Sequence, residues 1–258
     1  MLKFSGVIIT SNEAKHIEKC LVSLTPVADE IVVVDSYSTD DTKHICKKYN
    51  VKFIEQEFLG YVEQKNFALG QAKNDYIIAL DGDEALSKEL QSSILELKEN
   101  WQFDGYYCNR FNFFCGQWIK HSDWYPNKKL RVFDRRKAKW SGSNPHDKIK
   151  LTHNNKTNKL KGDILHYTYS SYSEFNKKTE YFSTIASEAY YREGKKAPFW
   201  KIIWNPIWAF FKAYFLRLGF LDGLNGLVIC YQTGNITFLK YIKLRELNKN
   251  TNHKISKT

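Results

Sequence analysis

The 258-residue chain is poor in cysteine, and its five (Cys20, Cys46, Cys108, Cys115 and Cys230) are scattered without a C-x-x-C pair. That spacing excludes a zinc ribbon and a disulfide framework, and the odd count suits a reducing compartment. Long apolar runs are missing too. No stretch reaches the ~18 residues that a spanning helix needs, and the apolar part of "MLKFSGVIIT" is too short for a secretory signal. Internal repeats and low-complexity segments are absent. Acidic residues are almost lacking from the last quarter: residues 195–258 hold eleven Lys/Arg against Asp222 and Glu246, a net +9 out of +11 for the chain.

What is present is aromatic, at 16% of residues, within an ordinary 43% hydrophobic content. The length allows one sizeable core, or one core with an appendage. The basic last quarter is also rich in Trp, Phe, Ile and Leu. Basic and greasy together point to an anionic membrane surface; a base-stacking groove for nucleic acid needs no such aliphatic area. The expectation is a cytoplasmic protein, peripheral on the inner face of the cytoplasmic membrane, with no nucleic-acid partner.

Residues 5–100 alternate strand and helix patterns. "SGVIIT" (5–10), "EIVVVD" (30–35), "VKFIEQ" from Val51 and "YIIALD" (76–81) read as buried strands. Asn12 is placed to cap the first helix, Ser38 or Thr39 the second and Ser87 the fourth, which includes Leu86; residues 61–72 make the third. The alternation predicts a mostly parallel, doubly wound α/β sheet. Such sheets bind ligands beyond the carboxyl ends of their strands, where Asp35 and Asp81 both lie.

Aromatics and Arg/Lys alternate through 103–170, predicting short, partly antiparallel strands, with a polar loop or hairpin at 151–160. An amphipathic helix spans 173–193 and stops at Gly194. The expected division is a main domain at 1–194, in two halves (1–100 and 101–194). Basic amphipathic helices follow at 195–246 and a polar tail at 247–258. Asn205-Pro206 reads as the start of a helix, and at ~100° per residue Lys201, Asn205 and Lys212 share a thin cationic face on an apolar body.

"DYIIALDGDEALS" (75–87) ends an apolar strand in Asp81, Asp83 and Glu84. Carboxylates so close repel unless a cation sits among them. Glu84 reads as charge at a helix start; the plainer alternative for the whole stretch is an acidic turn capping a helix. Together "VIITSNE" (7–13), "EIVVVDSYSTDDT" (30–42), "QKNFAL" (64–69) and "IIALDGDEAL" (77–86) resemble the motifs of family-2 glycosyltransferases with the GT-A fold. "WSGSNPHDKI" (140–149), "ILHYTY" (164–169) and "FLRLGFLDG" (215–223) extend the match to the bacterial subgroup that glucosylates the lipopolysaccharide inner core.

The resemblance implies a metal-dependent, inverting transfer of a hexose, glucose from UDP-glucose by preference, to a lipid-linked saccharide. It gives Mg²⁺ or Mn²⁺ to Asp83, with Asp81 on the ribose or the metal's waters and His166 as a further ligand or diphosphate contact. It places Thr10, Asn12, Glu13 and Asp35 around the nucleoside, and Lys65 and Asn66 near the base or diphosphate. In "NPHDKI", Asp147 takes the position of the general base, one methylene shorter than the usual Glu. His146 either orients Asp147, contacts a phosphate or is itself the base. Arg131, Arg135 and Arg136 suit an anionic acceptor through the planar guanidinium, or form a solvated basic loop. Two other readings stand beside this one. A nucleotidyltransferase wants a glycine-rich phosphate loop after the first strand, where "TSNEAKHI" has no glycine. A non-catalytic membrane scaffold has no use for both an acidic pair and a base.

Overall fold

A computed structural model describes residues 1–142, 147–152 and 156–255, the side chains of 251–255 excepted. His146 lies outside the described residues. The chain divides into two compact units, one of residues 1–111 and 126–167, the other of 112–125 and 168–258. The boundary differs from the expected one: the 173–193 helix belongs with the C-terminal helices.

In the first unit, β1 (Phe4–Thr10), β2 (Glu30–Asp35), β3 (Lys52–Glu55) and β4 (Tyr76–Asp81) run parallel in the order β3-β2-β1-β4. Helices α1 (Ile17–Leu24), α2 (Thr42–Cys46), α3 (Tyr61–Gln71) and α4 (Lys88–Leu97) connect or follow them. The strands read as continuous apolar runs because both sheet faces are covered. Phe4, Ile8, Ile78 and Leu80 face the cluster containing Leu21 of α1 and Leu90 of α4. Their neighbours Val7, Ile77 and Ala79 face Ala68 and Leu69 of α3.

The sheet then continues antiparallel. After β5 (Glu84–Leu86) and β6 (Gly105–Phe114) come β7 (Gln117–Ile119), β8 (Asn127–Asp134), β9 (Ala138–Ser141), β10 (Lys148–Leu151) and β11 (Thr157–Tyr169). Beyond β4 the order is β8-β6-β11-β5, with β7 on β6, while β9 and β10 form a separate pair. The expected antiparallel strands are therefore there, and β11 enters the stretch expected to be loop.

Capping expectations fare unevenly. Ser87 does cap α4, its hydroxyl accepting from the Leu90 N–H at 3.2 Å. Leu86, however, ends β5 rather than joining the helix. Asn12 does not cap α1, which starts at Ile17, and neither Ser38 nor Thr39 caps α2, whose N-cap is Asp41. Those side chains bind the neighbouring loop instead.

The second unit contains α5 (Tyr172–Arg192), α6 (Phe199–Phe211), a π turn (Lys212–Leu216), a 3₁₀ turn (Gly219–Asp222) and α7 (Gly223–Ile255). Phe114, Ile119, Trp124, Phe175 and Ile229 form its aromatic core. Gly194, at φ +69°, ends α5 as expected. Asn205-Pro206 does not start a helix: Pro206 sits inside α6, which follows Pro198. A proline here costs an internal hydrogen bond, and packing compensates, for α7 crosses so close that a Cβ on Gly234 would stand 3.1 Å from the Pro206 carbonyl.

Ile202 of α6 is buried, yet Phe199, Trp200, Ile203, Trp204, Ile207, Trp208 and Phe211 are exposed. The helix is amphipathic with its apolar stripe outward. No single described helix is long and apolar enough to cross a membrane, whereas the pair 199–216 and 219–250, bent by 72°, meets the length and hydropathy requirement jointly.

Gly162 in β11 sits at φ +85°, where an added Cβ would lie 2.3 Å from the Leu90 backbone nitrogen. Gly162→Ala is expected to cost at least the ~1–3 kcal/mol of a strained backbone site, read as a lowered midpoint in thermal unfolding.

Candidate active site

Strand register builds the site. Thr10 pairs with Asp35 and Ile9 with Asp81, so three strand ends reach one rim. The chain turns at Gly82, which donates to the Ile9 carbonyl at 3.0 Å. A Cβ there would stand 2.6 Å from Thr10 Oγ1, so a larger residue between the acids would require the Thr10 side chain to shift. Thr10 Oγ1 itself is buried with no hydrogen-bond partner among the described residues.

The loops after β1 and β2 are sewn together by the polar residues of "TSNE" and "DSYSTDDT". Asp35 is fully buried and accepts from both the Ser38 N–H (2.7 Å) and the Ser38 hydroxyl. That hydroxyl accepts in turn from the Asn12 N–H at 2.7 Å, and Asn12 Oδ1 accepts from the Thr39 N–H at 2.8 Å. The Glu13 N–H donates to Thr42 Oγ1 and the Ala14 N–H to Asp40. Asp35 and Asn12 thus shape the rim.

The acids of the β4 motif part company. Arg131 donates to Asp81 Oδ2 and to Glu84 Oε1, both at 3.0 Å. Lys65 Nζ stands 3.0 Å from Asp81 Oδ1 without hydrogen-bond alignment. Burial alone would raise the Asp81 pKa, but Lys65 and Arg131 hold it well below the usual carboxylate range. Glu84, expected as charge at a helix start, is instead completely buried in β5, accepts from the Asp81 N–H and pairs with Arg110 at 3.6 Å. Asp83, like Asp81, is half-buried, and it meets His166 Nε2 at 3.1 Å.

Asp147 joins the group from the other side: Lys65 donates to its Oδ2 at 2.9 Å. Trp140 lies beneath, its ring 4.5 Å from Lys65 Nζ and 5.5 Å from the Arg131 guanidinium. Asn66 pins Trp140, donating to its carbonyl and accepting from its N–H at 3.0 Å each. Lys129 is half-buried close by, its pKa lowered by burial and by the Arg110 and Arg131 charges.

Among the expected site residues, Thr10, Asn12, Glu13 and Asp35 therefore share the β1–β2 loops. Lys65, Asp81, Asp147 and Arg131 form one charge cluster beside Asp83 and His166. Arg131 is buried at its centre and is no exposed acceptor contact. Arg135 and Arg136 are placed apart, at the opposite end of β4. Arg135 binds the Leu69 and Ala72 carbonyls at the end of α3, and Arg136 binds Asp134 and Asp75. Arg110, Lys129 and Trp140 escaped the sequence reading. Their signal was the Arg/Lys–aromatic alternation at 103–140, which does not say which cation meets which acid.

Asp83 and His166, a carboxylate and an imidazole in contact with each other, are the residues that would hold a divalent ion such as Mn²⁺ or Mg²⁺, with phosphate and water oxygens completing the sphere. Asp81, beside them, is paired with Arg131 and Lys65. No cluster of three His, Cys, Asp or Glu able to hold a metal occurs among the described residues.

The chain belongs to glycosyl transferase family 2, whose model matches residues 5–160, and it is a glycosyltransferase. It is 34% identical to an uncharacterized glycosyltransferase of Rickettsia bellii, over 97% of this chain and 88% of that one. It is 31% identical to the lipopolysaccharide core biosynthesis glycosyltransferase LpsC of Rhizobium meliloti, over 86% of this chain and 83% of that one. Among solved structures, Staphylococcus aureus TarS in complex with UDP aligns with 97% of this chain and 92% of its own, at 16% identity and a TM-score of 0.49.

Arg131→Met would leave Glu84, fully buried, and Asp81, half-buried, without their shared cation. The expected loss is ~3–5 kcal/mol of stability, measured by chemical denaturation; a change below ~1 kcal/mol would refute the bridging role.

Proposed function

We propose that this glycosyltransferase moves a hexose, with inversion, from a UDP-sugar to a lipid-linked saccharide of the lipopolysaccharide-core kind, at the cytoplasmic face of the inner membrane. The observation that carries the transfer chemistry is the convergence of Asp83–His166 and of Asp147 on the rim of β4, with Asp81 neutralised between them. Asp147 takes the proton of the acceptor hydroxyl as that oxygen bonds to the anomeric carbon. The bond from that carbon to the diphosphate breaks, and the nucleoside diphosphate leaves with the electron pair. Asp83 and His166 would hold a divalent ion, which when bound would supply charge neutralisation for that leaving group. Thr10 and the Asn12–Ser38 loop line the rim where the nucleoside lies. The uridine and glucose assignments rest on the motif resemblance, and the acceptor class on the similarity to LpsC.

For the acceptor's setting, the support is the outward stripe of α6. Trp204 is 64% exposed and Trp208 58%, within a continuous run of apolar side chains. Monomeric proteins rarely expose such a patch without a use. Lys201, Lys212 and Arg217 follow the same segment, as an anionic headgroup layer favours.

With Mn²⁺ present, UDP-glucose is expected to raise the melting temperature more than other sugar nucleotides. Asp83→Ala is expected to lose the Mn²⁺-dependent part of that shift and at least ~100-fold in transfer rate, while folding normally. Full activity in excess chelator would overturn the metal role. In flotation assays, the protein is expected to bind vesicles containing anionic lipid, and Trp204→Ser with Trp208→Ser to bind several-fold less; equal binding would remove the membrane reading.

A further inference from the structure

Lys65 has an unusual position for a lysine. Its side chain is only 7% exposed, although burying an ammonium is costly unless it is paired. Two carboxylates lie at nearly equal distance, Asp147 at 2.9 Å and Asp81 at 3.0 Å, but only the first contact has hydrogen-bond alignment. Asp81 receives its directed hydrogen bond from Arg131. The directional partner of Lys65 is therefore Asp147.

The lysine is itself held. Its ammonium lies over Trp140, and the next residue of α3, Asn66, fixes the Trp140 backbone through two hydrogen bonds. Helix, strand and ring leave the amine few alternative positions, so the carboxylate it grips inherits that order. Asp147 is one methylene shorter than glutamate and has less reach of its own. Only its Oδ2 is engaged by Lys65, which leaves Oδ1 for an acceptor hydroxyl.

We propose that Lys65 is a positioning residue for the transfer step: through its hydrogen bond to Oδ2 it holds the Asp147 carboxylate in the orientation that receives the acceptor proton. It is thus not primarily a contact to the donor nucleotide. This inference rests on Asp147 being the base. It also makes Asn66 and Trp140 parts of the same device, since they fix the lysine.

The test is a double-mutant cycle on the full chain with Lys65→Met, Asp147→Asn and the combination, alongside Lys65→Arg. Turnover, KM for donor and acceptor, and UDP affinity are measured for each. Lys65→Met is expected to lose roughly 10- to 100-fold in kcat, as misplaced catalytic groups do, with UDP affinity within about twofold of wild type. The double variant is expected to be no slower than Asp147→Asn alone. Lys65→Arg keeps the charge and is expected to recover part of the rate. Losses that multiply in the double variant, or a Lys65→Met defect confined to UDP affinity, would overturn the proposal. Should Lys65→Met fail to fold, the conservative variant decides: reduced kcat with unchanged UDP affinity in Lys65→Arg supports it, and lost UDP affinity with unchanged kcat refutes it. An Asp147→Asn enzyme at full rate would sink the base assignment itself. A slow Asp147→Asn beside a Lys65→Met at full rate would sink this inference alone.

Discussion

Charge compensation at the carboxyl end of β4 is the constraint on which the site depends. Asp81, Glu84 and Asp147 are brought within reach of one another, and like charges in a poorly solvated place cannot all stay ionised unaided. Arg131 answers two of them and Lys65 joins the third to the first. Such buried pairs add little net stability compared with apolar packing, and breaking one strands a charge. Their value here is geometric: the cations fix where each carboxylate points.

The division of labour among the acids follows from that balance. Asp83 is the acid of the motif left outside the Arg131–Lys65 cage, and it meets an imidazole instead of a guanidinium. Gly82 forms the turn between the two aspartates and packs it closely against the Thr10 side chain. The chemistry of a glycosyltransferase is thus assembled from strand ends, a tight turn and the strands that extend the parallel half.

Much of this was legible beforehand. The apolar runs ending in Asp35 and Asp81 announced parallel strands and their shared rim, and "QKNFAL" and "NPHDKI" supplied Lys65 and Asp147. Other residues misled for physical reasons. Asn12, Ser38 and Thr39 have the short polar side chains that cap helices, but the same groups serve loop to loop, and no local pattern distinguishes the two uses. Glu84 looked like a solvated acid at a helix start because nothing nearby in sequence could pair with it. Its partners, Arg110 and Arg131, come from strands 26 and 47 positions later. Arg135 and Arg136, adjacent in sequence to Arg131, end at the far end of β4 because an antiparallel strand carries successive residues along its length.

By itself the sequence determined the element types, the rim on which acids collect and the motifs of family 2, because hydrophobic period and glycine placement act locally. Only the tertiary structure decided which cation neutralises which carboxylate, that Asp35 is turned inward and that the apolar stripe of α6 is turned outward. Those outcomes depend on contacts between residues far apart in the chain, and electrostatic energy depends on distance and burial, which spacing along a sequence does not contain.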